Sequence, residues 1–194
     1  MTVRILLLAV LATLVAAAPA SAARSVPHGF VGVHWSYEVA GAPAAAQDVQ
    51  WDLMAASGVE SVRTDFSWAS AQSRRGWSFD LSQTDAVVRR AALRNIELLP
   101  VVHEAPRWAR AYERRPKSPP RRNAHYASYV AALVERYGPS GSFWTDNPTL
   151  PKRPLRQWQV WNEPHLRLYW DAPERSRWDT RRGTGGCFAA LTAP

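Results

Sequence analysis

With 194 residues the chain has room for one domain of ordinary size, and its single cysteine, Cys187, excludes an intrachain disulfide framework and a Cys-rich metal site. Formal net charge is +8, and 46% of the residues are apolar, ten of them tryptophan. So many indoles suit either a core built on Trp or rings that stack on sugars, and no apolar stretch reaches the ~20 residues needed to span a bilayer.

The chain opens with Arg4, an apolar run from Ile5 to Ala18 and the small residues Ala20-Ser21-Ala22, the pattern of a secretory signal peptide over residues 1–23. Cleavage is expected near Ala22 or Ala23, and fourteen apolar residues are too few for an anchor, so the reading is export without membrane retention. A first strand follows over Gly29–Trp35. Ala44 to Ala56 predicts a helix with Val49, Leu53 and Met54 on its apolar face, stopped by Gly58. Val59 to Phe66 reads as the second strand, and Gly76 to Asp80 as a turn. Ser82 or Asp80 caps a helix from about Gln83 to Arg94, and the apolar run Ile96 to Val102 has the character of a parallel strand covered on both faces.

The stretch that follows carries Arg107, Arg110, Arg114, Arg115, Lys117, Arg121 and Arg122 among prolines. It has no Gly-rich or strand-borne aromatic module, so it reads as a solvated loop and not as a nucleic-acid groove. The next helix, Asn123–Tyr137, places Tyr126, Tyr129, Val130, Leu133, Val134 and Tyr137 at helical offsets and ends at Gly138-Pro139. A loop over Ser140 to Pro154 leads to a fourth strand, Leu155 to Trp161. Strands alternating with helices predict an α/β fold with a parallel sheet. The first strand–helix turn lacks GxGxxG spacing, which argues against a dinucleotide fold and leaves the (β/α)8 barrel.

Polar and aromatic residues gather at the strand ends: His34 and Trp35 end the first, Arg63, Asp65 and Trp68 end or follow the second, His103, Glu104 and Trp108 follow the third, and Asn162 and Glu163 follow the fourth. In a barrel those ends share one face, where such folds do their chemistry. Glycosidic cleavage needs a protonated carboxyl beside the leaving oxygen and a second carboxylate across the ring, ~5 Å away for retention. Glu163, between Trp161 and Pro164, is the candidate acid, on the expectation that apolar neighbours keep it protonated. Asn162 is placed to bond a sugar hydroxyl.

These residues carry a resemblance. VWNEP after a fourth strand resembles the acid/base motif of clan A glycoside hydrolases, in particular family 39 (β-xylosidase and α-L-iduronidase type) and cellulase-like family 5. VESVRTDFSWA resembles their second-strand segment, with an arginine at Arg63; LLPVVHEAPRWA resembles the third, with Pro106, Trp108 and His103 shaping the pocket. The likeness spans roughly Gly29 to Asp171 and implies the N-terminal half of a (β/α)8 TIM barrel, truncated after strand four. It implies a retaining mechanism with Glu163 as acid and then base, and Asn162, Arg63, His103, Trp108, Trp35, His34 and Trp161 around a carbohydrate substrate. Asp65 reads as a loop or supporting group, and Trp68 and Trp108 equally as core or as sugar platforms.

The family's nucleophile is a Glu on a seventh strand, which these residues do not include. Residues 24–173 form the partial domain. Residues 174–194 show no strand–helix pattern and read as a frameshift near 175–178, which sequencing the locus would test. No cofactor or metal is implied, since His34, His103 and His165 lack ligand-like spacing. The partners expected are a carbohydrate, no nucleic acid and no membrane. The competing readings are a secreted, non-catalytic carbohydrate binder using Trp35, Trp68, Trp108 and Trp161, and a basic protein that binds polyanions through the Arg loop.

Overall fold

A computed structural model describes residues 25–35 and 37–173. The signal-peptide and frameshift expectations, on residues 1–23 and 174–194, lie outside the described residues.

The elements run β1 (Gly32–Trp35), α1 (Tyr37–Ala40), α2 (Ala44–Ala56), β2 (Ser61–Ser67), α3 (Trp68–Ala71), α4 (Ser82–Leu93), β3 (Glu97–His103), α5 (Asn123–Tyr137), α6 (Ser142–Asp146) and β4 (Gln159–Val160), with a 3-10 turn over Arg107–Ala109 before α5. The four strands form one sheet in the order β1-β2-β3-β4, every neighbour parallel. Spatial order follows chain order without reversal, so the described sheet has no switch point of the doubly wound kind. It has the strand order of a barrel segment.

Local chemistry explains the punctuation. Gly58 takes φ +80°, and Val59 N donates to Met54 O at 3.0 Å while Gly58 N donates to Ala55 O at 3.1 Å, closing α2 in a left-handed cap. Asn95, φ +59°, closes α4 in the same way, with Ile96 N donating to Ala91 O at 3.0 Å. The Asp80 side chain accepts from Ser82 N at 3.0 Å at the start of α4, and the Ser82 hydroxyl first and this backbone bond second hold its carboxyl below the usual range.

The core is aromatic. Trp35 packs on Trp51 at 5.1 Å, Phe66 on Tyr137 at 5.9 Å, Trp68 on Tyr129 at 6.3 Å and Trp161 on Trp170 at 5.1 Å. Helix α5 has the expected bounds and buries Tyr126, Tyr129, Leu133 and Tyr137. Helix α2 departs from its expected face: Val49 and Leu53 are exposed, and Trp51 is the buried residue. Burial of Trp51 against Trp35 accounts for this rotation, and two ion pairs on the same side accompany it, Asp48 with Arg90 Nε at 2.8 Å and Asp52 with Arg94 Nε at 2.7 Å. Asp48, Trp51 and Asp52 stand at the helical spacing of neighbours on one face. Strand four also differs. It is cut to two residues because Trp161 adopts φ +61°, which leaves the extended region, while residues 155–158 make no ladder.

Candidate active site

The period of two along a strand sorts the candidate residues into two faces. In β2, Arg63, Asp65 and Ser67 share a face; their register partners in β3 are Leu99, Val101 and His103. His34 pairs with Arg63, and Gln159 pairs with Val101, so both join that face. The opposite face carries Trp35, Val62, Thr64, Phe66, Leu98 and Val102 and meets the helices.

On the polar face Arg63 reaches past β3 to the end of β4. Its Nη2 donates to Asn162 Oδ1 at 2.6 Å and its Nε to Gln159 Oε1 at 3.0 Å. Gln159 Nε2 in turn donates to Trp161 O at 2.9 Å. Beside this link, Asp65 lies between two imidazoles, 3.0 Å from His103 Nε2 and 3.8 Å from His34 Nε2. His103 is buried and His34 half exposed, so Asp65 runs from the sheet interior to solvent.

At the end of β3, Glu104 takes φ +63°, and its carboxylate accepts from Ser67 Oγ at 2.9 Å and pairs with Lys117 Nζ. Burial pushes the Glu104 carboxyl up, but the Lys117 hydrogen bond and charge, the neighbouring His103 imidazole and the Ser67 hydroxyl together hold it below the usual carboxylate range. Glu104 is therefore an ionised anchor for the loop after β3. Lys117 belongs to the stretch read as solvated; it is committed to Glu104, as Arg115 is to Asp171 at 2.5 Å.

The NEP turn is strained at both ends, with Trp161 at φ +61° and Glu163 at φ +35°. Trp161 N continues the ladder to Val102 O at 2.9 Å, Leu166 N donates to Glu163 O at 2.9 Å, and Asn162 faces Arg63 between them. Non-glycine residues with positive φ mark sites where the surroundings hold the backbone against its preference.

Several expectations are corrected. Glu163 is exposed, without the apolar shelter foreseen for it, because the left-handed Trp161 carries its indole away. Trp161 is 1% exposed and packs on Tyr126, Trp170 and His103, with Nε1 donating to Tyr169 O at 2.8 Å, so it offers no face to a sugar. Trp35, one residue beyond His34, points to the helix face and is buried against Trp51. Trp108 is half-buried, edge-on to Trp68 at 5.6 Å, and donates Nε1 to Gln72 O at 3.0 Å, apart from the Arg63 cluster. Trp68 is fully buried. Three of the four indoles of the non-catalytic binding reading are therefore core. Sequence reasoning missed Gln159 as a member of the cluster, for which its register two residues before Trp161 was the available signal; Glu104 stands after strand three as expected, bonded to Ser67.

A cavity of about 530 Å³ opens between β2 and helices α2 and α4, with Asp65, Ser67, Asp80 and Arg90 in its wall, and a second of about 300 Å³ lies between α4 and residues 152–157. Neither is lined by Glu163 or Arg63. Among the described residues no group of three His, Cys, Asp or Glu side chains is arranged to hold a metal ion, and no helix is long and apolar enough to cross a membrane.

The chain is similar to part of two glycoside hydrolases of known structure. One is a family 39 glycoside hydrolase from Bacteroides cellulosilyticus, at 17% identity and TM-score 0.47, covering 69% of this chain and 24% of that one. The other is a monomeric β-xylosidase from Caulobacter crescentus, at 13% identity and TM-score 0.49, covering 75% of this chain and 30% of that one. The chain thus spans less than a third of the length of either. No family model and no curated protein matches the sequence.

Proposed function

We propose that the chain is part of a (β/α)8-barrel glycoside hydrolase that cleaves O-glycosyl bonds of poly- or oligosaccharides, with Glu163 as the acid and base of a retaining reaction. One observation carries the reading: the Arg63 guanidinium, from β2, bonds Asn162 in the turn after β4, beside an exposed Glu163 in a left-handed conformation. A guanidinium bound to the Asn leaves that amide nitrogen free to meet a sugar hydroxyl, while Glu163 stands one residue further on, open to a ligand. His34, half exposed beside Asp65, adds a polar group on the same face, and His103 braces Asp65 from within.

A retaining reaction needs a second carboxylate about 5 Å from the first. Glu104 is unsuited to that part, because its charge is already taken up by Lys117 and Ser67. The resemblance puts the nucleophile on a seventh strand, so turnover by these 194 residues alone is not expected. The shelter that keeps an acid protonated would likewise come with bound substrate or the remaining loops.

The test uses aryl glycosides with the intact coding sequence of the locus. Glu163→Gln should lower the rate about 10²–10⁴-fold, the usual contribution of a positioned acid and base, with sugar binding retained. An unchanged rate removes Glu163 from the mechanism.

A further inference from the structure

We propose that the loops after β2 and β3 form a docking surface for an acidic polysaccharide, built from Trp77 and the cations Arg74, Arg75 and Arg122 and separate from the Glu163 turn. Three stretches distant in sequence converge there. Gln72 Nε2 donates to Trp77 O at 2.5 Å, and Gln72 O accepts from Trp108 Nε1 at 3.0 Å. Trp108 lies over His125, in the first turn of α5, at 5.4 Å between ring centres. His125 N donates to Arg122 O at 3.2 Å, which sets Arg122 one turn from that imidazole, and Arg75 lies in the same short loop as Arg74 and Trp77. Burial first, and then the charges of Arg122 and Arg75, hold the His125 imidazole below its usual range.

Charge at this place is uncompensated. Arg74, Arg75 and Arg122 are exposed and have no carboxylate partner among the described residues. The arginines on the outer helices behave differently: Arg90, Arg94 and Arg136 each hold an aspartate at 2.7–2.8 Å. Helix α5 starts directly after Arg122 with no acidic residue in its first turn and no side-chain cap, so its positive end adds to the same field. The cluster is therefore left with positive charge that an anionic ligand would neutralise.

Trp77 narrows the class of ligand. It is 55% exposed, and the Arg74 guanidinium lies 4.6 Å from its ring centre, covering one face and leaving the other open. An open indole face suits the apolar face of a sugar ring, and guanidinium groups beside it suit carboxylate or sulfate. Stacking successive nucleic-acid bases calls for a series of exposed rings. Here the neighbouring Trp108 is packed edge-on against Trp68, so only one is offered. The surface belongs to loops at the C-terminal ends of the strands, the same end of the sheet as Glu163, so a chain docked here lies on the working face.

Binding is measured on the full chain against polygalacturonate, dextran sulfate, neutral dextran, inorganic polyphosphate and a single-stranded DNA oligonucleotide, as a function of salt. The expected result is binding to polygalacturonate or dextran sulfate and not to dextran; the two arms separate carboxylate from sulfate recognition. Replacing Arg74, Arg75 and Arg122 together by Ala should reduce the slope of log affinity against log salt by about 2 to 3. Trp77→Ala should weaken glycan binding about five-fold or more while leaving polyphosphate binding unchanged. The control variant Lys152→Ala with Arg156→Ala, which removes two exposed cations from the segment before β4, should bind like the wild type. Equal losses in the control and the triple variant, no effect of Trp77→Ala on glycan, or DNA bound more tightly than both glycans would each overturn the proposal. Glu163→Gln should bind as the wild type does, so the outcome is independent of the hydrolase reading.

Discussion

Arg63 ties β2 to the turn holding Glu163, and its energetic weight can be worked from the geometry. Adjacent strands lie ~4.8 Å apart, so a residue of β2 that bonds β4 crosses roughly two spacings. It does so with a bond of 2.6 Å to Asn162 and one of 3.0 Å to Gln159. A hydrogen bond to a charged group contributes about 1.5–3 kcal/mol when shielded. Arg63 is only half-buried, so screening brings the Asn162 bond to about 1 kcal/mol and the two together to about 2 kcal/mol. Arg63→Ala should therefore lower Tm by roughly 4–8 °C. Urea unfolding of wild type, Arg63→Ala, Asn162→Ala and the double variant isolates the pair, with an expected coupling of about 1 kcal/mol against the ~0.3–0.5 kcal/mol within which independent sites add. A coupling inside that additive range would mean that Arg63 does not hold the turn, and the placement of Glu163 would need another cause.

The remaining predictions concern the anchor and the core. Glu104 is held below its ordinary value of 4.5, so its ionisation stabilises the fold above that pH, and the contribution is lost as pH falls through the lower folded value. Lys117→Met removes the principal lowering influence and leaves only His103 and Ser67 to oppose burial, so the folded value rises. The stabilisation from Glu104 ionisation then shrinks, and urea midpoints between pH 3 and 7 should rise less steeply with pH in the variant than in the wild type. If the two pH profiles are parallel, Lys117 does not govern Glu104. Trp161→Ala should cost about 3–5 kcal/mol as a core truncation, read by urea unfolding. A loss under about 1 kcal/mol would place the indole outside the core.

How much of this was legible beforehand can be judged residue by residue. Helix α5 was read with its bounds, because a tyrosine and leucine stripe over fifteen residues and a Gly-Pro stop leave one solution. Strands β2 and β3 were found to within two residues from their Val- and Leu-rich runs. Helix α2 was found as an element but rotated wrongly, since Ala-rich sequence has little preference for a face and the contacts on its buried side, Trp51 with Trp35 and the Asp48–Arg90 and Asp52–Arg94 pairs, come from other elements.

The same division runs through the site. From sequence alone came the alternation that makes a parallel sheet and the clustering of polar residues at strand ends. These are local or periodic features, set by backbone sterics and the spacing of apolar residues; that Arg63 belongs to one site with the Asn-Glu-Pro after strand four was implied by the resemblance. Which side each side chain faces at a strand's end depended on tertiary structure. A left-handed φ at Trp161 sends one indole into the core and leaves the neighbouring carboxyl in solvent, and register places Trp35 beneath a helix while His34 faces Asp65. A single backbone rotation reverses a side chain's environment, and its cost is offset only by contacts from distant parts of the chain, which no local window of sequence contains.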